Sequence, residues 1–175
     1  KRDAITTSAV STPPELQTGA DFTGGVLLPD GRVLLVPNNA PAALVYDPAA
    51  DSLAVVAGDL GGPCCGGGVL LADGRVLMPI NFGLGKTVIF DPATDTIGVT
   101  TPASAAAGFA GGALLADGTV LLLPGTYSDL LECRIWEPAS DTYTPAPELA
   151  SVPALRLGVY LDGCVLPDGR VVFTP

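Results

Sequence analysis

Leu28-Pro29-Asp30-Gly31-Arg32-Val33-Leu34 decides the fold of this chain, because three close copies of this stretch follow it. Each copy places an Asp-Gly pair between two apolar runs, which is the signature of a tight β-hairpin. In a two-residue turn of this kind, both the Asp and the Gly are expected at positive φ. The copies are Leu71-Ala72-Asp73-Gly74-Arg75-Val76-Leu77, Leu115-Ala116-Asp117-Gly118-Thr119-Val120-Leu121 and Leu166-Pro167-Asp168-Gly169-Arg170-Val171-Val172.

A second motif follows each of the first three hairpins. Its copies are Tyr46-Asp47-Pro48-Ala49-Ala50-Asp51, Phe90-Asp91-Pro92-Ala93-Thr94-Asp95 and Trp136-Glu137-Pro138-Ala139-Ser140-Asp141. Proline cannot donate to a strand ladder, and the flanking carboxylates can accept turn N–H groups, so each copy predicts a turn from a third strand into a fourth. Each unit is therefore a four-stranded meander. Its apolar hairpin strands are expected to be buried on both faces.

Units of about 40 residues that carry two hairpin signals are typical of propeller blades. We expect one all-β domain over residues 1–175, a propeller of four four-stranded antiparallel blades. In the repeat register the N-terminus supplies an outer strand to the last blade and closes it as a clasp. The alternative is a segment of a longer propeller or array. The blades are predicted at about 22–58, 65–102, 109–147, and 160–175 plus 3–10.

The stretch Gly24-Gly25-Val26-Leu27-Leu28-Pro29-Asp30-Gly31-Arg32-Val33, followed by Val45-Tyr46-Asp47-Pro48, resembles the kelch repeat. The shared features are a double glycine, a hairpin and an aromatic-Asp-Pro signature, and they extend over nearly the whole chain. The resemblance implies a β-propeller of a kind that serves mostly as a binding platform and occasionally as an enzyme, such as the copper radical oxidases. Pro37-Asn38, Pro79-Ile80 and Pro124-Gly125 stand where kelch repeats carry a further glycine pair, which favours a divergent bacterial or viral type.

The amino-acid composition restricts the classes of partner that the chain can bind. The chain has 18 acidic and 8 basic residues and a net charge of −10, with 48% hydrophobic residues. Its acidity repels phosphate backbones and anionic lipid, so we expect no nucleic-acid partner. The uncharged stretch 96–116 is interrupted by proline and glycine, so we expect no membrane insertion. The chain begins at Lys1 without a signal-peptide pattern, which fits a processed product or a piece of something longer.

The residues that are missing argue against catalysis. The chain has no histidine, which removes Ser-His-Asp and Cys-His mechanisms, His-bound zinc and the paired His ligands of copper radical oxidases. A sialidase-type site needs an arginine cluster, but Arg32, Arg75 and Arg170 each follow an Asp-Gly turn, and the third copy has Thr119 at this position. We therefore expect no enzyme activity, no cofactor and no metal.

Carboxylate pairs recur after the third strand of each unit. They could serve as Ca²⁺ ligands, but each turn offers only two carboxylates, and we expect the side chains to bond their own turns. A glycan hydrolase or lyase would need two carboxylates across a cleft, and the spacing singles out no such pair. The pairs are Asp47 with Asp51, Asp91 with Asp95, and Glu137 with Asp141.

Four cysteines are predicted to lie toward one face of the propeller. Ordinary buried thiols are the favoured interpretation, and the alternatives are at least one disulfide between blades or a Cys-only metal site. The residues are Cys64, Cys65, Cys133 and Cys164.

The loops between strands two and three, and between blades, differ from unit to unit, whereas the turns at the opposite face hardly change. Variable loops are free to carry recognition, and their amide and aromatic groups suit a protein or glycan surface. We therefore expect a non-catalytic binding module, extracellular or on a virion or cell surface. The alternative is a structural subunit that self-assembles as a homo-oligomer through an open blade edge. The candidate binding residues are Asn38, Asn39, Asn81, Phe82, Lys86, Tyr127, Asp129 and Arg156.

Overall fold

The computed structural model describes residues 21–58, 60, 66–80, 87–100, 108–125, 132–146 and 162–174. Within these ranges all regular structure is β, and no helix is long and apolar enough to cross a membrane. The strands are β1 (Phe22–Leu27), β2 (Val33–Pro37), β3 (Leu44–Asp47), β4 (Ser52–Val55), β5 (Val69–Leu70), β6 (Val76–Pro79), β7 (Thr87–Asp91), β8 (Thr96–Val99), β9 (Phe109–Leu114), β10 (Val120–Pro124), β11 (Arg134–Glu137), β12 (Thr142–Pro145), β13 (Asp162–Val165) and β14 (Val171–Thr174).

The strands form four separate antiparallel sheets in chain order, which we call blades 1 to 4. Blades 1, 2 and 3 are four-stranded meanders made of β1–β4, β5–β8 and β9–β12. Blade 4 contains β13 and β14 within the described ranges. The N-terminal strand predicted at 3–10 to complete blade 4 lies outside the described residues.

The Asp-Gly hairpins share one geometry, which differs from the predicted two-residue turn. In blade 1 the Leu28 N–H donates to the Arg32 carbonyl over 2.8 Å, and the Gly31 N–H donates to the Leu28 carbonyl over 3.0 Å. Gly31 lies at φ +90°, whereas Asp30 is not among the residues at positive φ. The loop therefore contains three residues, with a tight turn followed by a left-handed glycine, because only the residue without a Cβ takes positive φ at low cost.

The aromatic-Asp-Pro motifs form the predicted turns between third and fourth strands. The Asp47 carboxylate accepts the Ala49 N–H over 2.8 Å and the Ala50 N–H over 3.3 Å. The last residue of each motif is an aspartate in the left-handed region: Asp51, Asp95 and Asp141 lie at φ 49°, 54° and 50°. Asp is one of the few L-residues that tolerate this conformation.

Adjacent blades pack face to face through alternating strand residues. In β6, Val76 and Met78 belong to the apolar cluster shared with blade 1, while the intervening Leu77 belongs to the cluster shared with blade 3. All three are fully buried, with 0% exposure. A third cluster joins blade 3 to Val171 of blade 4. Each inner blade therefore has two buried faces, as the apolar hairpin strands predict.

The first strands of the blades converge. β9 contacts both β5 and β13, so these strands lie side by side. Glycine permits this approach, because a Cβ at Gly66 would overlap the backbone of Ala110. A Cβ at Gly68 would lie 2.6 Å from Cγ2 of Val26 in blade 1. The blades therefore pack together along their first strands.

Blade 1 does not bury both of its faces, although the sequence predicts that it would. Its first strand is largely exposed, and Leu27 keeps 65% of its surface in solvent, whereas all but the last residue of β9 is buried. The physical reason is that the described part of the chain supplies blade 1 with a neighbour, blade 2, on one side only.

Candidate functional site

The end of the molecule that carries the Asp-Gly hairpins is uniform, and we call it the turn end. At each hairpin the aspartate Oδ1 accepts the N–H two residues further on, over 3.0 or 3.1 Å. The two backbone bonds that close the loop also recur in all four copies at 2.7 to 3.0 Å. Because the acceptors are used within their own turns, the turn end serves as framework.

The opposite end, the loop end, carries the connections between second and third strands and between blades. In blade 1 the Asp21 carbonyl accepts the N–H groups of Asn38 and Asn39 over 2.8 and 3.2 Å. Asn38 is half-buried and Asn39 is exposed. The other predicted binding residues lie outside the described residues: Asn81, Phe82, Lys86, Tyr127, Asp129 and Arg156.

A cleft of about 130 Å³ lies between the first strand of blade 1 and the segment that precedes β5. It is lined by Thr23, Gly24, Val36 and the glycines 66–68. The Thr23 hydroxyl donates to the Val36 carbonyl over 3.4 Å. Five of its eight lining residues are glycines, so main-chain atoms form much of its wall.

A larger cavity, of about 380 Å³, lies between blades 2 and 3, and we call it the blade 2/3 groove. Its polar walls include Arg75, Asp91 and Asp141, and Trp136 forms part of its apolar wall. The sequence-based prediction placed recognition on the loops and missed this groove. The only signal in the sequence is the replacement of Tyr46 and Phe90 by a larger Trp136 in the third motif.

A bridge that joins blades 1 and 2 has no counterpart from Arg75 at the blade 2/3 groove. Between blades 1 and 2, Arg32 reaches across to the Asp95 carboxylate and the Pro92 carbonyl. Arg75 is the repeat equivalent of Arg32, but its Nη2 turns back to Oδ2 of Asp73 in its own hairpin, 2.7 Å away. Hydrogen bonding from Arg75 holds the pKa of the Asp73 carboxyl below its usual range.

The partner of the last aspartate in each motif varies with the aromatic residue of that motif. The indole Nε1 of Trp136 donates to Oδ1 of Asp141 over 2.9 Å, and the Tyr46 hydroxyl donates to Asp51 over 2.8 Å. Phe90 has no donor, and its aspartate, Asp95, is the one that accepts the arginine of the preceding blade.

A buried hydroxyl cluster joins blades 2 and 3 beside the groove. The Tyr143 hydroxyl lies 2.9 Å from the Thr87 hydroxyl and 2.8 Å from the Thr100 hydroxyl, and the two threonine hydroxyls lie 2.8 Å apart. The Tyr143 ring also stacks on Phe109 with centroids 6.0 Å apart. Burial raises the pKa of Tyr143. These bonds satisfy polar groups inside a packed boundary, so the cluster serves to align the blades.

The positions of the described acidic and cysteine residues test the predictions about metal sites and thiols. In the part of the chain that the structure describes, no group of three or more Cys, Asp or Glu residues could hold a metal ion. Cys133 is buried, as predicted, but Cys164 is exposed and no disulfide joins the two. The prediction of a buried thiol is wrong for Cys164, because its face of blade 4 has no described neighbour. Cys64 and Cys65 lie outside the described residues.

No protein-family model and no curated protein sequence matches the chain. Solved structures do match it. Virginiamycin B lyase from Staphylococcus aureus matches with a TM-score of 0.65 at 13% identity, over 91% of this chain and 51% of the lyase chain. An auxiliary nutrient binding protein from Bacteroides ovatus matches with a TM-score of 0.64 at 12% identity, over 85% of this chain and 35% of that one. YCF48 bound to D1 peptide matches with a TM-score of 0.55 at 18% identity, over 71% of this chain and 39% of the YCF48 chain.

These similar structures are of the β-propeller type. The chain has a β-propeller fold. The predicted all-β propeller with four blades is thereby confirmed, while its assignment to the kelch type stays a prediction. This propeller spans about half or less of the length of the three structures it matches.

Proposed function

We propose that this propeller is a non-catalytic binding module that contacts a protein or glycan surface through its loop end. The observation that carries the proposal is the contrast between its two ends. All four hairpins repeat the same hydrogen bonds at the turn end, whereas the loops of the opposite end differ in sequence and border a backbone-lined cleft. Variation concentrated on one face of a rigid scaffold is typical of recognition surfaces.

Two of the similar structures support a binding role, since one is named a nutrient binding protein and another is bound to a peptide. The double glycines and aromatic-Asp-Pro motifs further support a kelch-like type of propeller. We propose a location outside the cytosol or on a virion or cell surface.

The absence of catalysis is part of the proposal. Asp91 and Asp141 both line the blade 2/3 groove, where a hydrolase or lyase would need two facing carboxylates. However, Asp91 accepts the Ala93 N–H over 2.9 Å and Asp141 accepts the Trp136 indole. Both carboxylates are thus used in holding their own turns, which supports a structural role for them.

The test is a binding screen on glycan and protein arrays, followed by titration calorimetry with any ligand found. We expect Asn39→Ala, Phe82→Ala or Tyr127→Ala to weaken binding by about tenfold or more where the residue is a central contact. The matched control is Thr94→Ala, an exposed residue of the turn end. Binding that survives all three loop variants but is lost with Thr94→Ala would place recognition on the turn end and reject the proposal.

A further inference from the structure

At the boundary between blades 1 and 2, the chain itself shows how its turns hold a guanidinium group. Nη1 of Arg32 donates to both carboxylate oxygens of Asp95, over 2.8 and 2.9 Å, and Nη2 donates to the Pro92 carbonyl over 2.9 Å. The carboxylate and the carbonyl belong to one turn of blade 2. Together they match the planar set of donors that an arginine side chain presents.

The equivalent two groups of blade 3 line the blade 2/3 groove. Pro138 and Asp141 stand at the repeat positions of the carbonyl and the carboxylate that hold Arg32. Asp141 lies at φ 50°, close to the 54° of its equivalent in blade 2. Arg75, which is the arginine of the preceding blade here, bonds through Nε and Nη2 to Asp73 of its own hairpin, over 2.8 and 2.7 Å. The groove therefore has the acceptors of the blade 1–2 bridge, while the arginine that would complete it bonds elsewhere.

The bond that Asp141 makes to the neighbouring indole leaves capacity for a charged donor. Oδ1 of Asp141 accepts the indole N–H of Trp136 over 2.9 Å. An ionised carboxylate has about four acceptor positions on its two oxygens. The indole bond and a guanidinium can therefore share this side chain.

The groove also has space for the apolar stem of an arginine. Its volume of about 380 Å³ lies within the range of about 300 to 1,000 Å³ that is usual for small-ligand pockets. Ile89 in its wall is half-buried, whereas the equivalent Val45 of blade 1 is only 4% exposed. A Cβ at Gly98, another lining residue, would meet no atom within 4 Å. Methylene groups can therefore pack beside Ile89.

The charges around the groove favour a cation. Asp91 and Asp141 line it together with one basic residue, Arg75, which is itself paired with Asp73. The whole chain carries a net charge of −10. A cationic group is therefore attracted to this surface, and the attraction weakens as salt is added.

We propose that the blade 2/3 groove binds the side chain of an arginine presented by a partner polypeptide. The guanidinium donates to the Asp141 carboxylate and the Pro138 carbonyl, as Arg32 does to their equivalents, and the stem packs beside Ile89. A lysine ammonium is a compact point charge without the planar donor set, so it binds less tightly. Both acceptors belong to a turn at the turn end, so this site is separate from the loop-end surface of the proposed function.

The site contains its own reporter group. Trp136 is the only tryptophan of the chain, and its indole N–H bonds to Asp141. The experiment titrates N-acetyl-arginine amide into the ¹⁵N-labelled full chain at low salt and follows the indole N–H resonance by NMR. We expect a saturable shift, which added NaCl weakens. N-acetyl-lysine amide should bind about threefold or more weakly.

Two variants test the carboxylate and the space separately. Asp141→Asn tolerates a positive φ and keeps an oxygen acceptor for the indole, but it removes the charge, so binding should weaken by about tenfold. Gly98→Leu fills the groove without changing any charge and should weaken binding by a similar factor. The matched control is Asp51→Asn, because Asp51 lies at φ 49° and accepts a bond from the aromatic of its motif but does not line the groove. Urea transitions confirm that each variant is folded.

Several results would overturn the proposal. The first is the absence of any shift in the parent chain, and the second is binding that Asp141→Asn leaves unchanged or that Asp51→Asn weakens equally. A shift seen only in Arg75→Ala would show that Arg75 itself occupies these acceptors in solution. Equal binding of the lysine probe would reject a guanidinium site, and tighter binding of free arginine than of the capped probe would indicate a small-molecule site.

The loop-end proposal is tested apart from this one. Asn39→Ala and Tyr127→Ala should leave the affinity for N-acetyl-arginine amide unchanged, because neither residue lines the groove. Loss of a loop-end ligand therefore says nothing about the groove, and the two proposals fail separately.

Discussion

Arg32 in blade 1 and Asp95 in blade 2 are joined across the blade boundary by two hydrogen bonds, with Nη1 2.8 Å from Oδ1 and 2.9 Å from Oδ2. The same guanidinium donates from Nη2 to the Pro92 carbonyl and from Nε to Asp30, over 2.9 and 2.8 Å. One planar donor group therefore connects its own hairpin to the turn of the next blade.

This arrangement predicts a measurable coupling between the two residues. Replacing Arg32 by Ala should lower the free energy of unfolding by about 1 kcal/mol, because the pair is partly exposed to solvent. A double-mutant cycle with Asp95→Asn, measured by urea denaturation, should give a coupling of about 0.5 kcal/mol. Arg170→Ala is the control, since within the described ranges the Arg170 guanidinium bonds to Asp168 of its own hairpin and to no other blade, and the side chain is 76% exposed. Equal losses for Arg32→Ala and Arg170→Ala would contradict a role in joining blades.

The buried hydroxyl cluster predicts a second effect on stability. Tyr143→Phe removes a hydroxyl that bonds to Thr87 and Thr100, so the free energy of unfolding should fall by about 1 to 2 kcal/mol. Tyr46→Phe also removes a hydroxyl bond, to the exposed Asp51, and its smaller loss serves as the reference. If both variants lost the same stability, the cluster would contribute nothing beyond an exposed hydrogen bond.

The raised pKa of Tyr143 gives the same cluster a spectroscopic signature at alkaline pH. Burial favours the neutral phenol, so the folded chain binds this proton more tightly than the unfolded chain does. Stability from this group is complete below the ordinary tyrosine pKa of about 10 and is lost as pH rises through the folded value. Tyrosinate absorbance should show one tyrosine that titrates late, and Tyr143→Phe should remove that step.

The hairpin aspartates predict the behaviour of the protein in acid. Bonds from Arg75 lower the pKa of Asp73 below its reference value of 3.8. A depressed folded pKa contributes stability that is present above the reference value and is lost as pH falls through the folded value. Urea transitions between about pH 5 and 2 should therefore lose less stability in Arg75→Ala than in the parent chain. A parallel decline in both proteins would show that Asp73 does not contribute.

Substitutions at two glycines distinguish the energetic cost of backbone strain from that of packing. Gly118 lies at φ +89° with open space where a Cβ would be, so Gly118→Ala should cost about 1 to 2 kcal/mol from backbone strain alone. Gly98 also has open space but lies outside the left-handed region. Gly98→Ala should be neutral or stabilise the chain by up to about 1 kcal/mol. Thermal unfolding of both variants measures the difference, and equal losses would reject a left-handed requirement at the hairpin.

Much of the fold could be predicted because its signals are local. The Asp-Gly pairs and the aromatic-Asp-Pro motifs act within a few residues, so they identify the hairpins and the turns of blades 1 to 3. The turn type was predicted wrongly because the same Asp-Gly pair fits a two-residue and a three-residue loop, which differ in the φ angle of the Asp and in the residues that close the loop. Sequence spacing alone does not determine that angle.

The candidate sites were harder to predict because they depend on which residues face each other across blades. Arg32 and Arg75 stand at equivalent positions in the sequence, yet one bridges to the next blade and the other does not. The next blade's aromatic, Phe90 or Trp136, differs in its ability to donate to the neighbouring aspartate. A difference of this kind between blades leaves no periodic pattern in the sequence.

Each apolar cluster of the described residues joins only adjacent blades. The terminal blades should therefore unfold before the inner blades. Amide hydrogens of β6, β7 and β10 should exchange most slowly, since their blades are held from both sides, and those of β1 and β14 should exchange first. Unfolding then begins at blades 1 and 4 and proceeds toward blades 2 and 3. Any contact that covers the terminal blades slows the unfolding of the whole chain.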